Sequence, residues 1–88
     1  MVTIIIVTFN ADKTLQNCLN SIYEQKSDQL KIIVIDGGST DHTVDILKKN
    51  NNKIFFWKSE KDAGIYDAMN KALEYLDTDW VYFLGADD

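Results

Sequence analysis

The residues of this 88-residue chain that could do chemistry gather at four points. Asp87 and Asp88 are adjacent carboxylates that follow the apolar run "WVYFLG". Asp36 follows a second apolar run, "KIIVI", and precedes Gly37 and Gly38. Thr8, Phe9 and Asn10 close a third run, and Asp62 lies a little beyond a fourth, "KIFFWK". Neighbouring carboxylates are hard oxygen donors that suit Mg²⁺ or Mn²⁺. Magnesium keeps part of its water shell and is shared between one or two carboxylates and a substrate phosphate. The pattern points to a divalent cation that bridges protein and diphosphate. Such a cation neutralises the phosphates and, as a Lewis acid, stabilises a departing phosphate oxygen. Phe9 offers an aromatic face to a base, and Asp36 offers acceptors to ring N–H groups. Glycines at 37, 38 and 85 let a ligand approach the backbone closely.

Each of these residues also has a plainer role open to it. Acidic residues after a strand are ordinary turn formers. Asp36, Asp87 and Asp88 therefore fit turns as well as ligands, and Phe9 fits a core as well as a base platform. Tyr66 and Asp67 either line the same rim or begin a helix. Cys18 and Met69 read as core residues, and His42 as a solvated residue at a helix start. What lifts the group above these roles is shared location, and location depends on the elements that carry it.

Residues 3–9 form a continuous β-branched run, which predicts a strand covered on both faces. Leu15, Cys18, Leu19 and Ile22 recur at helical spacing and predict a helix over 12–25 with one apolar stripe. A second buried strand is expected over 31–36. Ser39, Thr40 or Asp41 then caps a short helix that runs to about residue 49. The asparagines at 50–52 form a loop, and a third strand is expected over 53–58. Gly64 precedes a third helix with the stripe Ile65, Met69, Ala72, Leu73 and Leu76, and 80–85 is the fourth strand. The order βαβαβαβ implies an α/β fold: an open, Rossmann-like parallel sheet with helices on both faces, built as a single domain over 1–88. In such sheets ligands bind beyond the carboxyl ends of the strands, where strand order reverses. The candidate residues all fall at those ends, while the strand interiors carry almost no polar groups.

Composition narrows the class. An apolar fraction of 45% is that of a globular domain. A chain of this length buries roughly 60–65% of its unfolded surface, so it folds with little margin. The net charge of −5 argues against nucleic acid as a partner. Cys18 and His42 are the single cysteine and histidine, which excludes an internal disulfide and a zinc site of Cys and His ligands. The longest apolar run is too short to span a bilayer, and the N-terminus lacks a basic leader segment. With a lone cysteine, this favours a cytoplasmic setting. A dinucleotide fingerprint, a P-loop and the lysine of a receiver domain are missing from the sequence. A non-catalytic nucleotide-binding or regulatory α/β module stands as the alternative to an enzyme.

The segments "IIIVTFN", "VIDGGSTDHTVDIL", "SEKDAGIYDAMNKAL" and "WVYFLGADD" resemble, in order and spacing, the N-terminal half of family 2 glycosyltransferases. The resemblance covers essentially the whole chain and implies a truncated GT-A fold that takes a nucleoside-diphosphate sugar, with a UDP-sugar favoured. It implies that Thr8, Phe9 and Asn10 contact the nucleoside, with Phe9 beside the base. It likewise implies that Asp36 hydrogen-bonds the base, with Gly37 beside it, and that Asp62 lies along the nucleotide pocket. Asp88 would bind the metal, Mn²⁺ or Mg²⁺, and Asp87 would face ribose or the metal shell. The chain departs from the family at Val7, where proline is frequent, and at Ala86, where a fuller D-x-D motif has its first carboxylate. Members of the family continue past this motif into an acceptor site and a catalytic base. The expectation is therefore a truncated chain with no catalytic residue of its own. Its parent transfers the sugar with inversion to a glycan, lipid-linked or protein acceptor, in the cytoplasm or peripherally at the inner face of the membrane. An uncovered apolar fourth strand would favour a homo-oligomer.

Overall fold

The computed structural model describes residues 2–25, 30–61, 70, 74 and 80–85. The elements are β1 (Val2–Thr8), α1 (Leu15–Tyr23), β2 (Leu30–Asp36), α2 (Thr43–Lys49), β3 (Phe56–Ser59) and β4 (Trp80–Gly85). The four strands form one sheet in the order β3-β2-β1-β4, and every pairing is parallel. The third helix expected from the sequence falls outside the described residues, apart from Asn70 and Glu74, which are helical.

The β-branched runs form strands because branched side chains pack well on a pleated surface and lose little rotamer freedom there. Alternation sends Ile6, Ile32 and Val34 to one face, where they join Leu15, Leu19 and Ile22 of α1 and Leu47 of α2 in a single core. Ile5, Ile33 and Ile35 point the other way and are also fully buried, as the continuous apolar pattern predicts. Each fully buried Leu or Ile contributes roughly 1.5–3 kcal/mol. β4 is one of the two edge strands of this sheet, the other being β3, and Val81, Tyr82, Phe83 and Leu84 are exposed. Beside it, a groove floored by Ile4 and Leu84 and flanked by Cys18 and Ile22 separates β4 from α1. Among the described residues, no helix is long and apolar enough to cross a membrane.

Most boundaries fall within two residues of the expected ones; two starts come three residues late, and both have hydrogen-bonding causes. α1 begins at Leu15 rather than at residue 12. The Ala11 carbonyl accepts from the N–H groups of Thr14 (3.1 Å) and Leu15 (2.8 Å), so 12–14 is a turn before the helix. β3 begins at Phe56 rather than at residue 53. The N–H groups of Lys53 and Ile54 turn back to the Asn50 carbonyl (2.9 and 3.1 Å), and pairing with β2 starts only at Phe55, which donates to Ile32 (2.8 Å). α2 carries Asp45 in its first turn and Lys48 and Lys49 in its last, which matches the helix dipole at both ends. His42, solvated as expected and with Nδ1 3.2 Å from Asp45, is its N-cap residue in place of the expected Ser39, Thr40 or Asp41; of those three, Asp41 still accepts from the Thr43 N–H, one position before the cap.

Candidate functional site

The sheet brings three strand ends to one level. Thr8 pairs with Asp36, and Asp36 pairs with Ser59. The ladder runs one step further: the Gly37 N–H donates to the Thr8 carbonyl, and the Glu60 N–H to the Asp36 carbonyl, both at 2.9 Å. On the other side of β1, Gly85 pairs with Val7, one step short of Thr8. Strand order reverses at β1, with β2 and β3 on one side and β4 on the other. That is the switch point at which open α/β sheets hold their ligands. Thr8, Phe9, Asn10, Asp36 and Gly37 are therefore neighbours at one rim. Asp62, Asp87 and Asp88, together with Tyr66 and Asp67, lie outside the described residues.

Asp36 is fully buried, and its carboxylate is heavily used. Oδ2 accepts from the N–H groups of Gly38 (3.2 Å) and Ser39 (2.8 Å) and from the Ser59 hydroxyl (2.6 Å), while Oδ1 accepts from the Ser39 hydroxyl. A carboxylate has about two acceptor positions per oxygen, so the open one is on Oδ1. The residue thus does what a turn former does, winding the backbone around its own side chain, and it also ties that turn to β3. Gly38 completes the turn at φ 86°, a conformation that L side chains rarely adopt, and a Cβ there would collide with Cγ of Lys61.

The loops after β1 and β2 are zipped together. The Asn10 N–H donates to the Ser39 hydroxyl (2.7 Å), and the Thr40 N–H returns to the Asn10 side-chain oxygen (2.8 Å). Below them the Ala11 N–H donates to the Thr43 hydroxyl (3.0 Å). The Asp12 N–H then reaches Asp41 (3.2 Å), and the His42 N–H reaches Asp12 (3.3 Å). Asn10 holds φ 47°, a region asparagine tolerates better than most residues. Asp41 braces the start of α2 by accepting from the Thr43 N–H (2.9 Å) and from the Thr43 hydroxyl. Phe9 projects from this locked frame and is 61% exposed, which removes the core role that its position at a strand end left open. The Thr8 hydroxyl, by contrast, is buried and has no hydrogen-bond partner among the described residues.

Partial burial pushes the Asp41 carboxyl up, but the Thr43 hydroxyl, the Thr43 N–H and the Asp12 N–H outweigh it and leave the group below its ordinary value. A carboxyl lowered in the folded state adds stability above its unfolded value, near 3.9, and loses it as pH falls through the lower folded value. Urea unfolding midpoints are therefore expected to fall with acidification below about pH 4, and Asp41→Asn is expected to flatten that slope.

Ser39, Ser59 and Thr43 belong to the frame but were not expected to join it. Ser39 sits three residues after Asp36, a spacing that signals a local turn. Its bond to Asn10, like that of Ser59 to Asp36, depends on sheet register. Among the described residues, no group of three or more His, Cys, Asp or Glu side chains could hold a metal.

Known proteins resemble the chain in sequence and in fold. The family described as glycosyl transferase family 2 matches residues 3–88. A PGL/p-HBAD biosynthesis glycosyltransferase of Mycobacterium bovis is 40% identical over the whole chain, which spans 36% of that protein. The glycosyltransferase SunS of Bacillus subtilis is 40% identical over 94% of the chain, which spans 19% of that protein. Among solved structures, S. aureus TarS in complex with UDP-GlcNAc matches with a TM-score of 0.77 at 27% identity, over 98% of this chain and 26% of that one. A mannosyltransferase of Pyrobaculum calidifontis in complex with GDP-Man and Mn²⁺ matches with a TM-score of 0.79 at 28% identity, over 98% of this chain and 27% of that one. The chain thus spans about a third or less of the length of these proteins.

Proposed function

The chain belongs to glycosyl transferase family 2, and from that premise we propose that it forms the donor-binding part of an enzyme that moves a sugar from a nucleoside diphosphate to an acceptor hydroxyl. The observation that carries the proposal is Phe9, a large exposed aromatic held on a hydrogen-bonded rim at the switch point of the sheet. The base lies against Phe9, on the loop that the buried Asp36 carboxylate holds in shape. Asn10 and Gly37, with the backbone of Thr8, line the nucleoside, and Asp62 is assigned to the same pocket. UDP is the favoured nucleotide, which the TarS complexes with UDP and UDP-GlcNAc support.

Asp88, with Asp87 beside it, supplies hard oxygen donors that fit Mn²⁺ or Mg²⁺. When bound, the cation neutralises charge on the leaving diphosphate. The Mn²⁺ of the mannosyltransferase complex supports this assignment. In the transfer the acceptor oxygen bonds to the anomeric carbon as the bond from that carbon to the diphosphate oxygen breaks. A base outside the residues named here takes the hydroxyl proton, and the anomeric centre inverts.

Calorimetric titration of UDP into the protein tests the reading. Binding is expected with Mn²⁺ and is expected to weaken with excess EDTA, and Asp88→Ala is expected to remove that difference. Equal affinity with and without chelator would eliminate the metal assignment. No binding of either UDP or GDP in the presence of Mn²⁺ would eliminate the donor site.

A further inference from the structure

Strand order gives the rim a direction. β4, which runs on in sequence to the carboxylates proposed for the metal, lies on one side of β1, and β2 and β3 lie on the other. A nucleoside diphosphate stacked on Phe9, at the end of β1, with its phosphates toward β4, turns the far edge of its base toward the ends of β2 and β3. Two described features stand there: the glycine turn after β2 and, two residues beyond the end of β3, Lys61. They are in direct contact. A Cβ at Gly38 would collide with Cγ of Lys61 and would sit 3.2 Å from its Cα. The stem of Lys61 therefore lies against the bare backbone of the turn, and its ammonium is three bonds further out. The side chain is exposed. Lys58 nearby is held by Glu60, with Nζ 2.6 Å from Oε1, but Lys61 has no carboxylate partner among the described residues. Asp36 is buried beneath the same turn with most of its acceptors occupied, which leaves the surface of the turn to Lys61.

We infer that Lys61 selects the base of the donor: its ammonium donates to a ring carbonyl on the edge opposite the ribose, so the site takes a base with an oxo group there, such as uracil, over one with an amino group, such as cytosine. An ammonium carries three donors and no acceptor. Uracil presents its 4-oxo group at the ring atom farthest from the ribose. Cytosine presents an amino group at that atom, a donor that sets hydrogens against hydrogens. The oxo group of guanine and the amino group of adenine divide the purines in the same way. A free lysine loses rotamer freedom when it makes such a bond, and contact with Gly38 restricts the inner half of the stem before any ligand arrives. The diphosphate is the other group that attracts an ammonium, but it lies toward β4, on the opposite side of β1 from Lys61. The inference rests on the reading of the rim as a nucleotide site and adds which bases that site accepts.

Calorimetric titration with UDP and with CDP, both in the presence of Mn²⁺, tests it, because the two share ribose and diphosphate and differ at the base edge. The protein is expected to bind UDP about tenfold more tightly than CDP, at the low end of what a hydrogen bond to a charged group contributes. Lys61→Met keeps the stem against Gly38 and removes the donors. It is expected to weaken UDP about tenfold, to leave CDP unchanged, and so to bring the two affinities together. Lys61→Arg again carries donors only and is expected to keep the preference. Lys61 is exposed, and melting curves that coincide with that of the parent protein show that the variants fold. Equal weakening of UDP and CDP by Lys61→Met would make Lys61 a contact to phosphate and overturn the proposal. A preference for UDP that survives Lys61→Met, or no preference in the parent protein, would overturn it as well. Failure of the parent protein to bind either nucleotide is a separate result: it removes the nucleotide site itself, and base selection with it.

Discussion

Asp36→Ala is expected to destabilise the protein by about 3–5 kcal/mol and to lower its melting temperature by roughly 12–30 °C. The carboxylate is fully buried and takes hydrogen bonds from two backbone N–H groups and two hydroxyls. Hydroxyls can rotate to other acceptors, but the N–H groups of Gly38 and Ser39 cannot. Each buried donor left without an acceptor costs about 1–3 kcal/mol. The turn that holds Ser39 against Asn10, and with it the zipper between the two loops, loses its centre. Asp36→Asn keeps one oxygen for the two amides, and Ser39 can then accept from the new NH₂ group, so its loss is expected to be clearly smaller. Circular dichroism melts of the two variants make the check. Equal losses would mean that the donor count is not what stabilises the site.

Phe9→Ala is expected to do the opposite: little to stability and much to binding. The ring is 61% exposed, so its removal should shift stability by no more than about 0.5 kcal/mol. Stacking of a base on an aromatic side chain is worth roughly 1–3 kcal/mol, which weakens a UDP dissociation constant by about 5- to 150-fold. Phe9→Trp should retain binding. A titration in which Phe9→Ala binds UDP as tightly as the parent protein would remove Phe9 from the base site.

The contrast between these two residues shows what was legible in the sequence. Strands β1, β2 and β4 end within a residue of where the apolar runs predict, because a long β-branched run has few other ways to bury itself. The rim placement of Thr8, Phe9, Asn10, Asp36 and Gly37 followed from the alternation of elements alone. The use made of the residues was less visible. Asp36 was expected to present its acceptors to a ligand, yet most of them hold the protein's own loop. The local part, Asp36 to Ser39, could have been read from spacing. The Ser59 contact could not, since it requires the register between β2 and β3.

The same limit applied at the other end of the sheet. Asn50 belonged to a polar run expected to be a loop. It is buried, and it joins the hydroxyl of Tyr23, the side-chain amide of Gln16 and the carbonyl of Ile46. No local pattern announces a contact across 27 or 34 residues. The late start of β3 has the same origin, because Asn50 also holds back the chain that must reach the sheet.

The reciprocal bonds between Asn10 and the segment of Ser39 and Thr40 also bear on how a ligand would be received. Two loops that each belong to a different βα unit behave as one body, so the conformational entropy of ordering them is lost when the chain folds and not when a guest arrives. Recognition at this rim is then a matter of preorganisation: the receptor needs no closing motion of these two loops, and affinity should track the fit of the guest to a shape already present.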